Sequence, residues 1–299
     1  MNRKIMEMKS YKATRRMVCL ALVLLWATAA QAQSNNYEQL PLKIIEDRLK
    51  QYAGSDIVRE AALTRLFRDA GCSVGQMKEQ AVPHSSPPNV SCTLPGTGDG
   101  VIVVGAHFDH AGLGEGVVDN WSGASLLPSL YESLASMSRR HTFVFISFAG
   151  EEKGFLGSRT YVSSLDSEGI ADIQAMIDID TLGLGPTEVW SSNSDPVLVK
   201  SLFAVASAAH LPVSTMDVDG IGDSDGHAFE ARKIPVITLH SVTRESLGIL
   251  HSLRDTFSEI KIGDYYDSYR LIAEYLATLD SELGISSNNS DGRISAHQK

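Results

Sequence analysis

Thiols are scarce in this chain. Three cysteines occur in 299 residues and no pair is spaced Cys-x-x-Cys, which excludes a cysteine-based zinc knuckle and a dithiol redox centre. Basic residues are also short: 26 Lys and Arg face 36 Asp and Glu. An acidic surface of this kind argues against nucleic acid or anionic lipid as partners. The glycine-rich "GTGDG" at 96–100 runs into a strand pattern rather than a helix, which reads as a turn and not as a phosphate loop. After residue 30 no apolar run approaches the ~20 residues that a membrane-spanning helix needs.

The one long apolar run, "MVCLALVLLWATAA" at 17–30, follows six basic residues and ends in Ala30-Gln31-Ala32. A basic segment, a short apolar core and a small-x-small triplet predict a secretory signal peptide over 1–32, with an uncleaved anchor as the rival. The expected localisation is periplasmic or extracellular, with no membrane association after cleavage. Loss of 1–32 removes those six bases and one acid, which shifts the net charge from −10 to −15. Cys72 and Cys92 remain in an oxidising compartment, either joined as one disulfide or left as two buried thiols.

The length suits one large α/β domain or two small ones. Apolar positions at helical spacing predict helices over 37–52 and 55–70, with "AG" at 70–71 as the stop. "VIVVGAHFDH" (101–110), "TFVFISFAGEE" (142–152), "IQAMIDIDTLG" (173–183) and "PVITLH" (235–240) read as buried strands. Helical patterns at 122–138, 154–165, 195–209 and 225–232 lie between them, and a last helix covers about 263–282. This alternation predicts a single α/β domain over 33–285, its central sheet mostly parallel or mixed and covered by helices on both faces. A polar, disordered tail is expected over 286–299.

Ligands in such sheets bind beyond the carboxyl ends of the strands, and that is where acids and imidazoles gather. The first strand ends in His107-Phe108-Asp109, the second in Glu151-Glu152; the third carries Asp178 and Asp180. Asp119 stands in "VVDNWSG" just before a helix, and His251 in "ILHSLRDT". Taken singly, each has an ordinary explanation: a solvated loop pair, a helix cap, a buried acid with a partner. Together they form a nitrogen and oxygen donor set without thiolate, which suits zinc.

"GAHFDH", "VVDNWSG", "FAGEEKGFLGS", "DIDTLG" and "LHSLRDT" occur in this order over about 89–279 and resemble the secreted di-zinc aminopeptidases. The resemblance implies a zinc exopeptidase-like fold and two zinc ions per chain. His107, Asp119, Glu152, Asp180 and His251 would be the metal ligands, Asp119 bridging. Glu151 would be the general base, and Asp109 would orient His107. Peptides with a free N-terminus are the implied substrates. Three positions depart from the pattern: Leu250 replaces a Tyr donor, Asp178 an Asn, and Ser224-Asp225-Gly226 a Ser-Asp-His. A single-zinc glutaminyl cyclase and a non-catalytic ectodomain of the same fold are the competing readings.

Overall fold

The computed structural model describes residues 37–283 except 53, 86, 219 and 221. The proposed leader, 1–32, and the polar segment 286–299 lie outside these residues, as do the outermost positions of 33–285. Two helices open the described region, α1 (Leu42–Leu49) and α2 (Asp56–Asp69). There follow β1 (Met77–Gln80), β2 (Asn89–Leu94), β3 (Val101–His107), α3 (Ser122–Ala135) and β4 (Thr142–Phe148). Next come α4 (Leu156–Ser163), α5 (Ser167–Asp172), β5 (Ile173–Ile179), β6 (Thr187–Val189), α6 (Pro196–Ala209) and β7 (Val213–Thr215). The series closes with α7 (Gly226–Glu230), β8 (Val236–His240) and α8 (Ile262–Glu282).

The eight strands form one sheet in the order β1-β2-β4-β3-β5-β8-β6-β7. Its centre, β4-β3-β5-β8, is parallel. β2 runs antiparallel to β4 and β6 antiparallel to β8, so the sheet is mixed. The central strands are the continuous apolar runs of the sequence, because a parallel strand between two neighbours is covered on both faces. Val103 and Met176 face one apolar cluster, while Ile102, Val104 and Ile177 face the other.

Where the elements differ from the sequence reading, the differences lie mainly at the ends. β3 stops at His107 and β5 at Ile179, so Asp109 and Asp180 stand in the loops just beyond. The strands β1, β6 and β7 and the helix α5 are three to six residues long, too short to show a period. Cys72 and Cys92 are joined, tying the end of α2 to β2. A structural disulfide is characteristic of extracytoplasmic compartments. Among the described residues no helix is long and apolar enough to cross a membrane.

Candidate metal centre

β3, β4 and β5 run side by side and in the same direction. Their carboxyl ends therefore deliver His107, Glu151-Glu152 and Asp180 to one edge of the sheet. Asp119 arrives from a distorted turn, Val117–Trp121, ahead of α3; its bond to Asn120 is a cis peptide. His251 comes from the loop before α8 with φ 53°, a left-handed backbone that non-glycine residues rarely hold and that recurs at functional sites.

Two donor groups result: His107, Asp119 and Asp180, and Asp119, Glu152 and His251. The candidate ligand atoms of each group all lie within 4.8 Å of one another. Asp119 belongs to both. Its Oδ1 is 3.3 Å from His107 Nε2 and its Oδ2 is 3.1 Å from His251 Nε2. Asp180 Oδ1 is 3.5 Å from His107 Nε2. Glu152 Oε1 lies 3.2 Å from His251 Nε2 yet is buried without a hydrogen bond. Convergent imidazole nitrogens and carboxylate oxygens, one of them orphaned, fit divalent cations of zinc type.

Electrostatics follow from this crowding. Burial opposes the charge on Asp119, but hydrogen bonds from His107 and His251 outweigh it and hold the carboxyl well below the usual range. Its hydrogen bond to Asp119 is the largest cause pushing His251 up to about 9. Glu151 belongs to neither donor group. Burial, then the nearby Asp225, Asp180 and Asp119, push it up to about 9 against the pull of His107. A bound cation would oppose that rise.

Asp109 is buried and holds the Glu151 turn. Its Oδ1 accepts from the amides of Gly150 (2.9 Å) and Glu151 (3.0 Å), and Oδ2 from that of Glu152 (3.3 Å). Toward His107 Nδ1 the nearer group is the backbone carbonyl of Asp109, at 3.2 Å; the carboxylate stands at 3.8 Å. The side chain thus acts on the paired glutamates more directly than on the imidazole.

Three further residues position the site and were not singled out from the sequence. Asn120 donates to the carbonyl of Ile179 (2.9 Å) and accepts from Thr181 (3.1 Å) and Gly123 (2.9 Å), locking the Asp119 turn to the Asp180 loop. A Cβ at Gly123 would come within 2.6 Å of the Ile179 carbonyl, so this approach requires glycine. Asp255 accepts from Val118 (2.7 Å) and Asp119 (3.2 Å). Arg59, fully buried on α2, donates to the carbonyls of Phe108 (3.0 Å), Glu115 and Gly116 (3.1 Å). Asn120 and Asp255 sit inside motifs quoted above; Arg59 left no signal in the sequence.

A cavity of about 410 Å³ opens over the centre. One side carries the metal-type ligands and Glu151; Trp190, Val218, Val242, Leu247 and Leu250 supply an apolar side. His240 also lines it, with Nδ1 accepting from Val242 (3.1 Å) and Nε2 facing the Met216 carbonyl (2.9 Å). Burial lowers its pKa, so it is a neutral wall. Asp178 is buried behind the ligands, accepting from the Gly226 amide at 3.0 Å.

A model of peptidase family M28 matches residues 89–276. A probable leucine aminopeptidase of Arthroderma benhamiae is 32% identical over 137 residues, 41% of this chain and 38% of that protein. The chain thus spans about two fifths of the length of that relative. Among solved structures, the LapA aminopeptidase of Legionella pneumophila is 19% identical with a TM-score of 0.70, over 86% of this chain and 79% of that one. An Acidobacteriales bacterium glutaminyl cyclase is also 19% identical, with a TM-score of 0.72, over 84% of this chain and 98% of that one. The likeness to both structures is one of fold.

Proposed function

Since the chain belongs to peptidase family M28, we propose that it is an exported zinc aminopeptidase that removes residues one at a time from peptides with a free N-terminus. The observation that carries the reading is Asp119, whose two oxygens face two different histidines at 3.3 and 3.1 Å. A carboxylate placed this way would serve as a shared ligand of two metal positions. His107 and Asp180 complete one set, Glu152 and His251 the other. Bound zinc supplies Lewis acidity toward the scissile carbonyl and lowers the pKa of water.

The chain does the rest. Glu151 takes the proton of the attacking water and returns it to the leaving amine nitrogen. It stands outside both donor groups, so its carboxylate is left to carry that proton between the two steps. Asp109 fixes the turn through three amides, setting the direction of Glu151 against that of Glu152. Any carboxylate at the centre that the bound ions leave unneutralised would attract a substrate ammonium and repel a terminal carboxylate. Leu250 offers no hydroxyl where relatives carry a Tyr donor, which points to a modest rate. The basic segment and Ala30-Gln31-Ala32 support export with removal of 1–32.

Product analysis by mass spectrometry tests the reading on leucine-led and glutamine-led peptides, free and N-acetylated. The expected result is release of free leucine and glutamine from the unblocked peptides and strong loss of turnover on acetylation. Equal cleavage of acetylated peptides, or release from the C-terminus, contradicts it. The fold shared with a glutaminyl cyclase makes the glutamine arm decisive: pyroglutamate without hydrolysis would put cyclisation in its place.

A further inference from the structure

Beside the main cavity lies a second one of about 250 Å³, formed between α4 and the α7 segment. The two meet at Phe155, which lines both. They are also joined by a side-chain contact, His227 of the second cavity pairing with Asp223 of the first. Two of the residues around the second cavity are arginines, Arg159 and Arg232, and none of its described lining residues is acidic. Arg159 stacks its guanidinium over the Phe155 ring, 5.7 Å from the centroid, which places the charge on the shared wall. Among the described residues no carboxylate lies within 4.0 Å of either guanidinium, while His227 is taken up by Asp223 and by Glu230 at 3.9 Å. What sets Arg159 and Arg232 apart is that both line one cavity whose described lining residues include no acid.

We propose that this cavity is a subsite for a carboxylate on the leaving side of the substrate, with Arg159 and Arg232 as its ligands. The proposal deepens the aminopeptidase reading and rests on it for direction. Glu151 must reach the leaving nitrogen to protonate it, so the downstream part of the peptide departs past the Glu151 turn. Phe155 lies four residues on from Glu151 and lines both cavities, the second of which carries the two arginines. Arginine's planar fork matches a carboxylate with paired hydrogen bonds. The carboxylate has two possible sources: the C-terminus of a short peptide or an acidic side chain downstream of the cut. In either case the main site repels carboxylates at the amine end and this cavity attracts one at the other end. That combination selects short acidic peptides in one orientation.

The test compares kcat/KM for Leu-Gly and Leu-Gly-Gly with that for their C-terminal amides, and for Leu-Gly-Asp-Gly-amide with Leu-Gly-Asn-Gly-amide. The expected preference for the acid member is on the order of three- to tenfold, the scale of a charge-assisted contact at a solvent-open site, and it shrinks as salt is raised. In the double variant Arg159→Gln, Arg232→Gln the ratio should fall to about one. Both side chains are exposed, so the fold should be retained. A preference confined to the first two pairs assigns the chain terminus as the source; one confined to the third pair assigns the side chain. Ratios of one in all three pairs, or a preference that survives the double variant, overturn the subsite. Hydrolysis of leucine p-nitroanilide, which has no downstream carboxylate, reads the aminopeptidase activity separately. If that substrate and all the peptides stay intact, the aminopeptidase reading falls. Calorimetric binding of Leu-Gly-Gly against its amide then decides the subsite, equal affinity overturning it.

Discussion

Glu151 and Glu152 are adjacent in sequence but stand in different surroundings, and their different proposed roles rest on where each carboxylate ends up. Glu152 Oε1 is held against His251 in the donor group that includes Asp119; Glu151 is outside both groups and has its charge suppressed by burial. Glu151→Gln should therefore keep the metal content of the wild type and lose about 10²–10⁴-fold in kcat. Glu152→Gln should lose metal first and activity as a consequence. Elemental analysis beside kinetics separates the two, and metal loss from Glu151→Gln alone would reverse the assignment. At this scale the sequence was informative about residues whose type carries chemistry. Imidazoles and acids at strand ends drew attention to His107, Asp119, Glu152, Asp180 and His251 among others, and the resemblance to the di-zinc aminopeptidases implied these five as the ligand set. Asn120 and Asp255 were not picked out, because they act on backbone groups of distant segments. Asp255 reaches the amides of Val118 and Asp119 across more than 130 positions of chain, and no local pattern records such a pairing.

At the level of elements, α2 does more than cover the sheet. Its Arg59 spans both ends of the 108–116 loop through the carbonyls of Phe108, Glu115 and Gly116, with its guanidinium 5.8 Å from the Trp121 ring. That loop joins His107 to the Asp119 turn, so the arginine braces the two ends of one donor group. Arg59→Met should cost about 2–4 kcal/mol, since buried carbonyls lose a charged donor. Thermal unfolding reads the loss, and metal affinity should weaken with it; an unchanged midpoint and affinity would remove Arg59 from this role. The elements themselves were legible where they are long and buried. β3, β4, β5 and β8 are apolar runs bounded by turns, and the period of α6 and α8 is clear. β6 and β7 carry three residues each, and their place in the sheet depends on pairing with β8 and with each other, which no short stretch encodes.

Across the whole molecule, one mixed sheet supplies a rigid edge, and two covalent or near-covalent devices hold its flank. The disulfide closes a 20-residue separation between Cys72 and Cys92, joining α2, which carries Arg59, to the antiparallel side of the sheet. Loop-closure arguments give a link of this span about 3 kcal/mol. Reduction should lower the thermal midpoint by several degrees while leaving the fold assembled at room temperature; a midpoint insensitive to reductant would mean that the link contributes nothing. The second device is the proposed metal centre, which on binding metal would tie β3, the β4 and β5 loops, the Asp119 turn and the His251 loop to one point. The most direct test of the account is the metal content per chain of the purified, active protein, measured by elemental analysis beside that of His251→Ala. The account predicts close to two zinc ions in the wild type and close to one in the variant, because His107, Asp119 and Asp180 still form a complete group. A folded, fully active protein that carries no metal would contradict it.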